Sequence, residues 1–332
     1  MKDAFKILDP LFMIPEEIEP GCSFADLPQK ISFQESDVVI YGVPFDLTTS
    51  FGKGTSRGPE AIRLTSARQI ETFIFEENKD IQSCVRLYDL GDLRIPFPMT
   101  ADENGSRNSQ LNSRSTNAVF SFFDRSIPKI NRTLYDNGKI PVIIGGEHTI
   151  SYYAIKAFSQ ERPVVIHFDA HRDMKQQYDG RKICHATPFY HLMNEGYVQK
   201  GDLIQIGIRQ SDEQENKMAK VYGVITFDAW TIQYRFEKLL KSIAEFTENR
   251  KIYISFDIDV YDIPYVPCTG TPEPFGLNPF QIVDIIKNIH NTAILIGMDI
   301  VEVSVKNEDY REGTLAAQTI FRILCRKFGN LK

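Results

Sequence analysis

The chain has 332 residues, 42% hydrophobic and 25% charged, an ordinary globular composition with enough apolar material for a large core. Its formal net charge of -6 argues against a general affinity for nucleic acid or anionic lipid. No apolar run approaches the roughly eighteen residues that span a bilayer.

The N-terminus, Met1 to Pro10, has acidic residues and a proline where a signal peptide needs an unbroken apolar core, so the expected location is the cytoplasm. The cysteines Cys22, Cys84, Cys184, Cys268 and Cys325 are odd in number and scattered. They suggest neither a disulfide framework nor a thiolate zinc site.

Short apolar, β-branched runs recur along the chain: Val38–Tyr41, Val85–Leu90, Pro141–Ile144, Val164–Phe168, Leu203–Ile208, Val224–Phe227, Ile252–Phe256 and Ala293–Ile296. Runs this continuous suit strands buried on both faces of a parallel sheet. Helical patterns separate most of them. Pro59 stands at a first helical position with Glu60 behind it, and Asn278-Pro279 caps and opens a segment with apolar residues at helical spacing. Alternating strand and helix predicts an α/β fold with helices on both faces, and binding sites beyond the carboxyl ends of the strands. With no repeat and no linker, a single domain is expected over residues 1–332, with a core of roughly 35–325 and an N-terminal extension, 1–34. The polar stretch Thr100–Thr116 reads as a long surface loop or the entry to a helix.

Three segments carry chemistry. In the first, Ile143-Ile144-Gly145-Gly146-Glu147-His148, a buried strand runs into a glycine turn that leaves His148 at the carboxyl edge of the sheet. The second places Asp169, His171 and Asp173 at alternate positions, so an extended chain would make them one polar row. The same alternation pairs Asp257 with Asp259 in the third. Carboxylates converging on one small space repel, and would take up protons unless cations neutralised them. Two divalent ions held about 3.5–4 Å apart do this, and also supply hydroxide near neutral pH. Carboxylate-rich ligands with a few imidazoles suit Mn2+ best.

Each residue alone has a plainer reading. A strand-end aspartate is usually a turn residue, and a lone buried histidine is usually a satisfied structural one. His167 is expected to face away from the metals and to pack, and His290 to complement a helix C-terminus. A two-metal phosphoesterase is a competing reading, weakened by the lack of a phosphate-cradling loop or Arg/Lys cluster near the motifs. A metal-dependent relative without catalysis is another.

Together the motifs resemble those of the ureohydrolases, the family of arginases and agmatinases, whose G-G-[DE]-H-[ST], D-A-H-x-D and S-x-D-x-D patterns appear as Gly145–Thr149, Asp169–Asp173 and Ser255–Asp259. Weaker matches at Gly42–Asp46, Gly58–Arg63, Asp89–Asp92, Gly207–Arg209 and Thr269–Pro272 extend the resemblance over roughly residues 35 to 325. It implies a three-layer αβα fold around an eight-stranded, mainly parallel sheet, and a binuclear manganese centre, with Ni2+ or Fe2+ left open. His148 and Asp173 would bind one ion, His171 and Asp259 the other, with Asp169 and Asp257 touching both. Glu302 would grip a guanidinium group, and His185 would shuttle protons or orient the substrate. The implied reaction cleaves a small guanidino compound to urea and an amine, in a homo-oligomer, often a trimer or hexamer.

Gly180–His185 resembles the agmatinase loop rather than that of arginases. Tyr190 and His191 stand where relatives acting on guanidino acids carry arginines. Agmatine is therefore favoured over arginine, guanidinobutyrate or formiminoglutamate. Ile263, Phe275, Val305 and one extra residue before Thr314 depart from the family pattern, all in loops that shape the substrate end.

Overall fold

Each of the eight apolar runs contributes a strand in a computed structural model, which describes residues 2–13, 22–26, 31–96 and 113–329. In chain order the strands are β1 (Phe12–Met13), β2 (Val38–Val43), β3 (Phe73–Ile74), β4 (Lys79–Asp80), β5 (Leu87–Leu93) and β6 (Ile140–Gly145). After them come β7 (Val164–Phe168), β8 (Leu203–Ile208), β9 (Ile225–Asp228), β10 (Lys251–Asp257) and β11 (Ile294–Val301). The short strands β3 and β4 pair with each other alone, while the rest form one sheet in the order β1-β5-β2-β6-β11-β10-β7-β8-β9.

The sheet has nine strands among the described residues, not the eight expected. Eight are mutually parallel, and β1 adds antiparallel to β5 at the edge. At two residues, β1 is too short to show a period, and so it is invisible as a pattern.

Alternation along the strands feeds two apolar layers. Val38 and Ile40 of β2 pack in one layer, with Ile62, Leu239, Ile285 and Ile320 from the helices Gly58–Arg68, Ala229–Thr247, Pro279–Asn288 and Arg311–Phe328. Val39, Tyr41 and Val43 pack in the other, with Phe123, Ile150 and Leu192 from Ser113–Asp136, Thr149–Lys156 and Pro188–Asn194. Helices thus cover both faces, as the parallel pairing requires. Both sequence-level helix starts are present: Pro59 lies in the first turn of Gly58–Arg68, and Asn278 forms a reciprocal cap with Gln281.

Buried Arg63 fixes the first of these helices to β5. Its guanidinium donates to both Asp89 oxygens at 2.8 and 3.0 Å, and to Asp92 Oδ1 at 2.6 Å. His290 does not cap a helix. It lies beyond the end of Pro279–Asn288, its amide bonded to Thr247 and its ring to Thr292, because the chain has already turned. The stretch 100–116 lies outside the described residues as far as 112, and the chain is helical from Ser113. Of the segment 1–34, residues 1, 14–21 and 27–30 lie outside them too.

The order β6-β11-β10-β7 puts four parallel carboxyl ends side by side at the middle of the sheet. Phe256 pairs with Phe168, Asp257 with Val301, and Ile300 with Ile144, so the residues leaving these strands emerge level with one another.

Candidate metal centre

The turn after β6 admits no side chain. A Cβ on Gly146 would lie 1.9 Å from the Phe45 carbonyl oxygen. This close passage leaves His148 at the N-terminus of the helix Thr149–Lys156, with its ring over the sheet edge. Asp169 follows β7 directly and its amide continues the ladder to Ile206 O at 3.0 Å. The extended row ends there sooner than expected, since Asp173 takes a left-handed conformation (φ 51°) that folds its carboxylate back. After β10 the chain also departs from the expected extension. A 3-10 turn over Ile258–Val260 begins at once, with Asp257 Oδ1 accepting the Asp259 amide at 2.8 Å.

The six side chains named from the sequence converge. His148 Nδ1 lies 3.1 Å from Asp169 Oδ2, 3.0 Å from Asp173 Oδ2 and 3.2 Å from Asp257 Oδ2. His171 Nδ1 lies 2.9 Å from Asp259 Oδ2 and 3.4 Å from Asp169 Oδ1. Asp169 therefore turns one oxygen to each histidine. Asp257 turns Oδ2 to His148 and keeps Oδ1 on the Asp259 amide.

The donor set suits a cation. Ser255 Oγ donates to Asp299 Oδ1 at 2.8 Å and so accepts from His148 Nε2 at 3.1 Å, which leaves Nδ1 facing the carboxylates and able to ligate a cation. That nitrogen is buried and hydrogen-bonded to none of them, although three oxygens surround it. Lone pairs focused on one point repel unless positive charge sits among them. The carboxyls respond accordingly. Burial, and then the Asp169 charge, push Asp173 up to about 7, while burial and the Asp259 charge push Asp257 well above its ordinary range. Burial also opposes ionisation of Asp169, but the imidazole of His167, electrostatically and through its bond to Oδ2, outweighs burial and holds that carboxyl low.

His167 was expected to face away. Instead it reaches Asp169 Oδ2 at 2.8 Å, because residues two apart on a strand share a face. Its protonation state follows from its neighbours. Gln205 Oε1 accepts from Arg172 at 2.8 Å, so the Gln205 amide nitrogen donates to Arg172 O and to His167 Nδ1, at 2.8 and 3.2 Å. His167 Nε2 thus carries the proton and donates to Asp169, and both ring nitrogens are satisfied. It supports a ligand candidate and is not itself one.

Glu302 leaves β11 with φ 60°, a strained conformation for a side chain of this size. Its amide donates to Gly146 O and its Oε1 accepts the His148 amide, both at 2.8 Å. Oε2 lies only 2.8 Å from where a Cβ on Gly270 would stand, so the glycine makes room for this carboxylate. His185 lines the same cavity, its Nδ1 buried without a partner and its ring edge-on to Tyr178 at 5.6 Å. Burial pulls its pKa down to about 4, so the ring is neutral at neutral pH.

The cavity measures about 370 Å³, within the usual range for small-molecule sites. His171, Asp173, Asp257 and Glu302 line its floor, and Lys175 and Glu273 line its walls. Tyr190 and His191 do not line it. His191 is buried against the Gln176 carbonyl, so those positions say little about the substrate tail. Sequence reasoning gave no role to Ser255, Gly270, Glu273 or Glu147. All four sit inside or beside motifs it had singled out, and adjacency was the available signal. Glu147 is buried and receives Thr48 N at 2.6 Å as well as the Thr48 and Thr149 hydroxyls, which ties the loop after β2 to the ligand turn.

The sequence matches the description "Arginase family" over residues 36–325. It is 31% identical over 296 residues to an agmatinase of Bacillus anthracis, covering 88% of this chain and 91% of that one. It is also 31% identical over 312 residues to a mitochondrial guanidino acid hydrolase of Homo sapiens, covering 92% and 82%. The fold superposes on the crystal structure of an agmatine ureohydrolase of Thermoplasma volcanium with a TM-score of 0.75 and 25% identity, covering 90% of this chain and 92% of that one. No described helix is long and apolar enough to cross a membrane. With the family match spanning nearly the whole chain and the fold alike throughout, this protein belongs to the arginase family.

Proposed function

We propose that the chain hydrolyses agmatine to urea and putrescine at a binuclear Mn2+ centre. The observation that carries the reading is Glu302, a buried carboxylate pinned beside the His–Asp cluster and facing a cavity that offers no free cation. In this reading His148 and Asp173 hold one ion, His171 and Asp259 the other, and Asp169 and Asp257 serve both. Ligand hardness supports Mn2+ and leaves Ni2+ and Fe2+ open.

When bound, the ions supply a water ionised near neutral pH. The protein's own groups do the rest. Glu302 receives the planar guanidinium through charge-assisted N–H bonds and presents its carbon to the cluster. His185, neutral and unpartnered at Nδ1, can take up the proton that the attacking water gives up and pass it to the departing amine.

The cavity favours an amine tail. Among the described residues Lys175 is its one lysine or arginine, and that ammonium is already held by Asp212 and by Glu215 Oε2 at 3.0 Å. Among the described residues a carboxylate tail finds no free lysine or arginine there. The two relatives of equal identity act on different tails by name, so the cavity supplies the preference.

Urea release with Mn2+ from agmatine, arginine and 4-guanidinobutyrate tests the proposal. The expected result is the highest kcat/KM on agmatine. Preference for guanidinobutyrate would keep the reaction and reject the substrate, and no urea from any of the three with Mn2+, Ni2+ or Fe2+ would reject the reaction.

We also infer a cytoplasmic homo-oligomer, a trimer or hexamer. The exposed rings of Trp230 and Phe275, 6.3 Å apart, support a buried interface. A monomer by light scattering, or recovery in a membrane or secreted fraction, would remove this part.

A further inference from the structure

We infer that Glu273 recognises the distal ammonium of the substrate and so sets the preference for amine-tailed guanidines. The assignment deepens the reading above and rests on it.

The loop carrying Glu273 is fixed from behind. Arg209 donates to the carbonyl oxygens of Asp259 (2.6 Å), Glu273 (2.9 Å) and Pro274 (2.9 Å). The guanidinium is thus spent on backbone, and the Glu273 side chain turns to the cavity. There its Oε2 accepts the Gln210 amide at 3.0 Å, and its Oε1 lies 3.7 Å from His171 Nε2. Among the described residues no lysine or arginine side chain pairs with it.

The other outer carboxylates of the cavity are occupied. Asp212 and Glu215 share Lys175 and also cap each other's amides, at 2.8 and 3.1 Å. Among the described residues Glu273 is therefore the outer-wall carboxylate that no lysine or arginine side chain binds, and its side chain is 22% exposed, enough to meet a ligand. Its position also fits. His171 presents Nδ1 to the ligand cluster and Nε2 to Glu273, so the carboxylate stands one imidazole ring outward from the floor. Glu302 and Glu273 line the same cavity, so a substrate whose guanidinium is held by Glu302 can extend its tail to this wall. An ammonium there gains a charge-assisted bond, and a carboxylate there is repelled.

A competing role for Glu273 is to orient His171, as carboxylates often do for metal-bound histidines. Two probes separate the roles: agmatine, and n-butylguanidine, which is agmatine without its ammonium. Urea release is measured for the Mn2+-loaded full chain and for Glu273→Gln, with metal content determined for both. We expect the ratio of kcat/KM for agmatine over butylguanidine to fall about 10- to 100-fold, mostly through KM. A ratio equal to the wild type's overturns the assignment, whether or not both activities fall with lost metal. A second variant, Glu273→Lys, should shift preference from agmatine towards 4-guanidinobutyrate, and an unchanged preference also counts against the assignment. If the wild type releases urea from neither probe, the proposed reaction falls, and this assignment with it. A failure confined to the variants' ratios leaves the reaction standing.

Discussion

Substituting Gly270 by alanine isolates the placement of Glu302 from the stability of the fold. The new methyl would stand 2.8 Å from Oε2 and 3.8 Å from Cδ of Glu302. A comfortable carbon–oxygen contact is about 3.3 Å, so the carboxylate must retreat by roughly half an ångström. It cannot retreat freely, because Oε1 holds the His148 amide and the backbone is tied to Gly146. A misplacement of about 1 Å costs on the order of 100-fold in rate, so half of that predicts about tenfold in kcat/KM, or about 1.4 kcal/mol. The fold should be spared. Gly270 is not among the residues with positive φ, and alanine restricts the unfolded chain, so stability should stay within about 1 kcal/mol. Urea release from agmatine at saturating Mn2+, beside thermal unfolding, reads both quantities. Wild-type kcat/KM would refute the argument, and so would a collapse in stability.

Arg63→Ala should act in the opposite sense, on the fold alone. It leaves Asp89 and Asp92 as buried carboxylates without a counter-charge, at a cost of about 3–5 kcal/mol in urea denaturation, and a loss below about 1 kcal/mol rejects this. Phe275 holds φ 66° while 71% exposed, so Phe275→Gly should release strain and stabilise the protein by about 1 kcal/mol. A loss of similar size would show that the contact with Trp230 outweighs the strain. Acid should destabilise the protein through His185. Burial lowers its pKa from the ordinary 6.5 to about 4, so below 6.5 the unfolded chain binds a proton that the folded chain refuses. The contribution is complete above pH 6.5 and is lost as pH falls towards 4. A His185→Gln variant should lose stability less steeply over that window in thermal melts, and superimposable profiles count against the assignment.

The sheet and the cluster were legible for one reason. Buried parallel strands read as unbroken apolar runs, and the polar residues that end them stand out. His148, Asp169 and Asp257 each follow such a run within a few residues. What the alternation rule could not reach was the conformation after the strand. Asp173 in a left-handed turn and Asp259 in a 3-10 turn arrive at the cluster by local bends that a period of two does not describe. His167 shows the rule misapplied rather than failing, since its distance of two from Asp169 put it on the same face from the start. The outer wall was illegible for a different reason. Glu273 is defined by what does not pair with it, and a pairing census such as that of Lys175 with Asp212 and Glu215 needs three dimensions.

The strand order carries a consequence for biosynthesis. The strands β6 and β7 follow each other in the chain, yet β10 and β11 lie between them in the sheet. A growing chain that has completed His148, Asp169, His171 and Asp173 therefore holds them on two strands that cannot yet be neighbours. The gap closes only when Lys251–Asp257 and Ile294–Val301 have left the ribosome, which brings Asp257, Asp259 and Glu302 in the same step. In the proposed reading, metal capture is thereby tied to completion of nearly the whole polypeptide, and a chain cut short before β10 would have no centre to load.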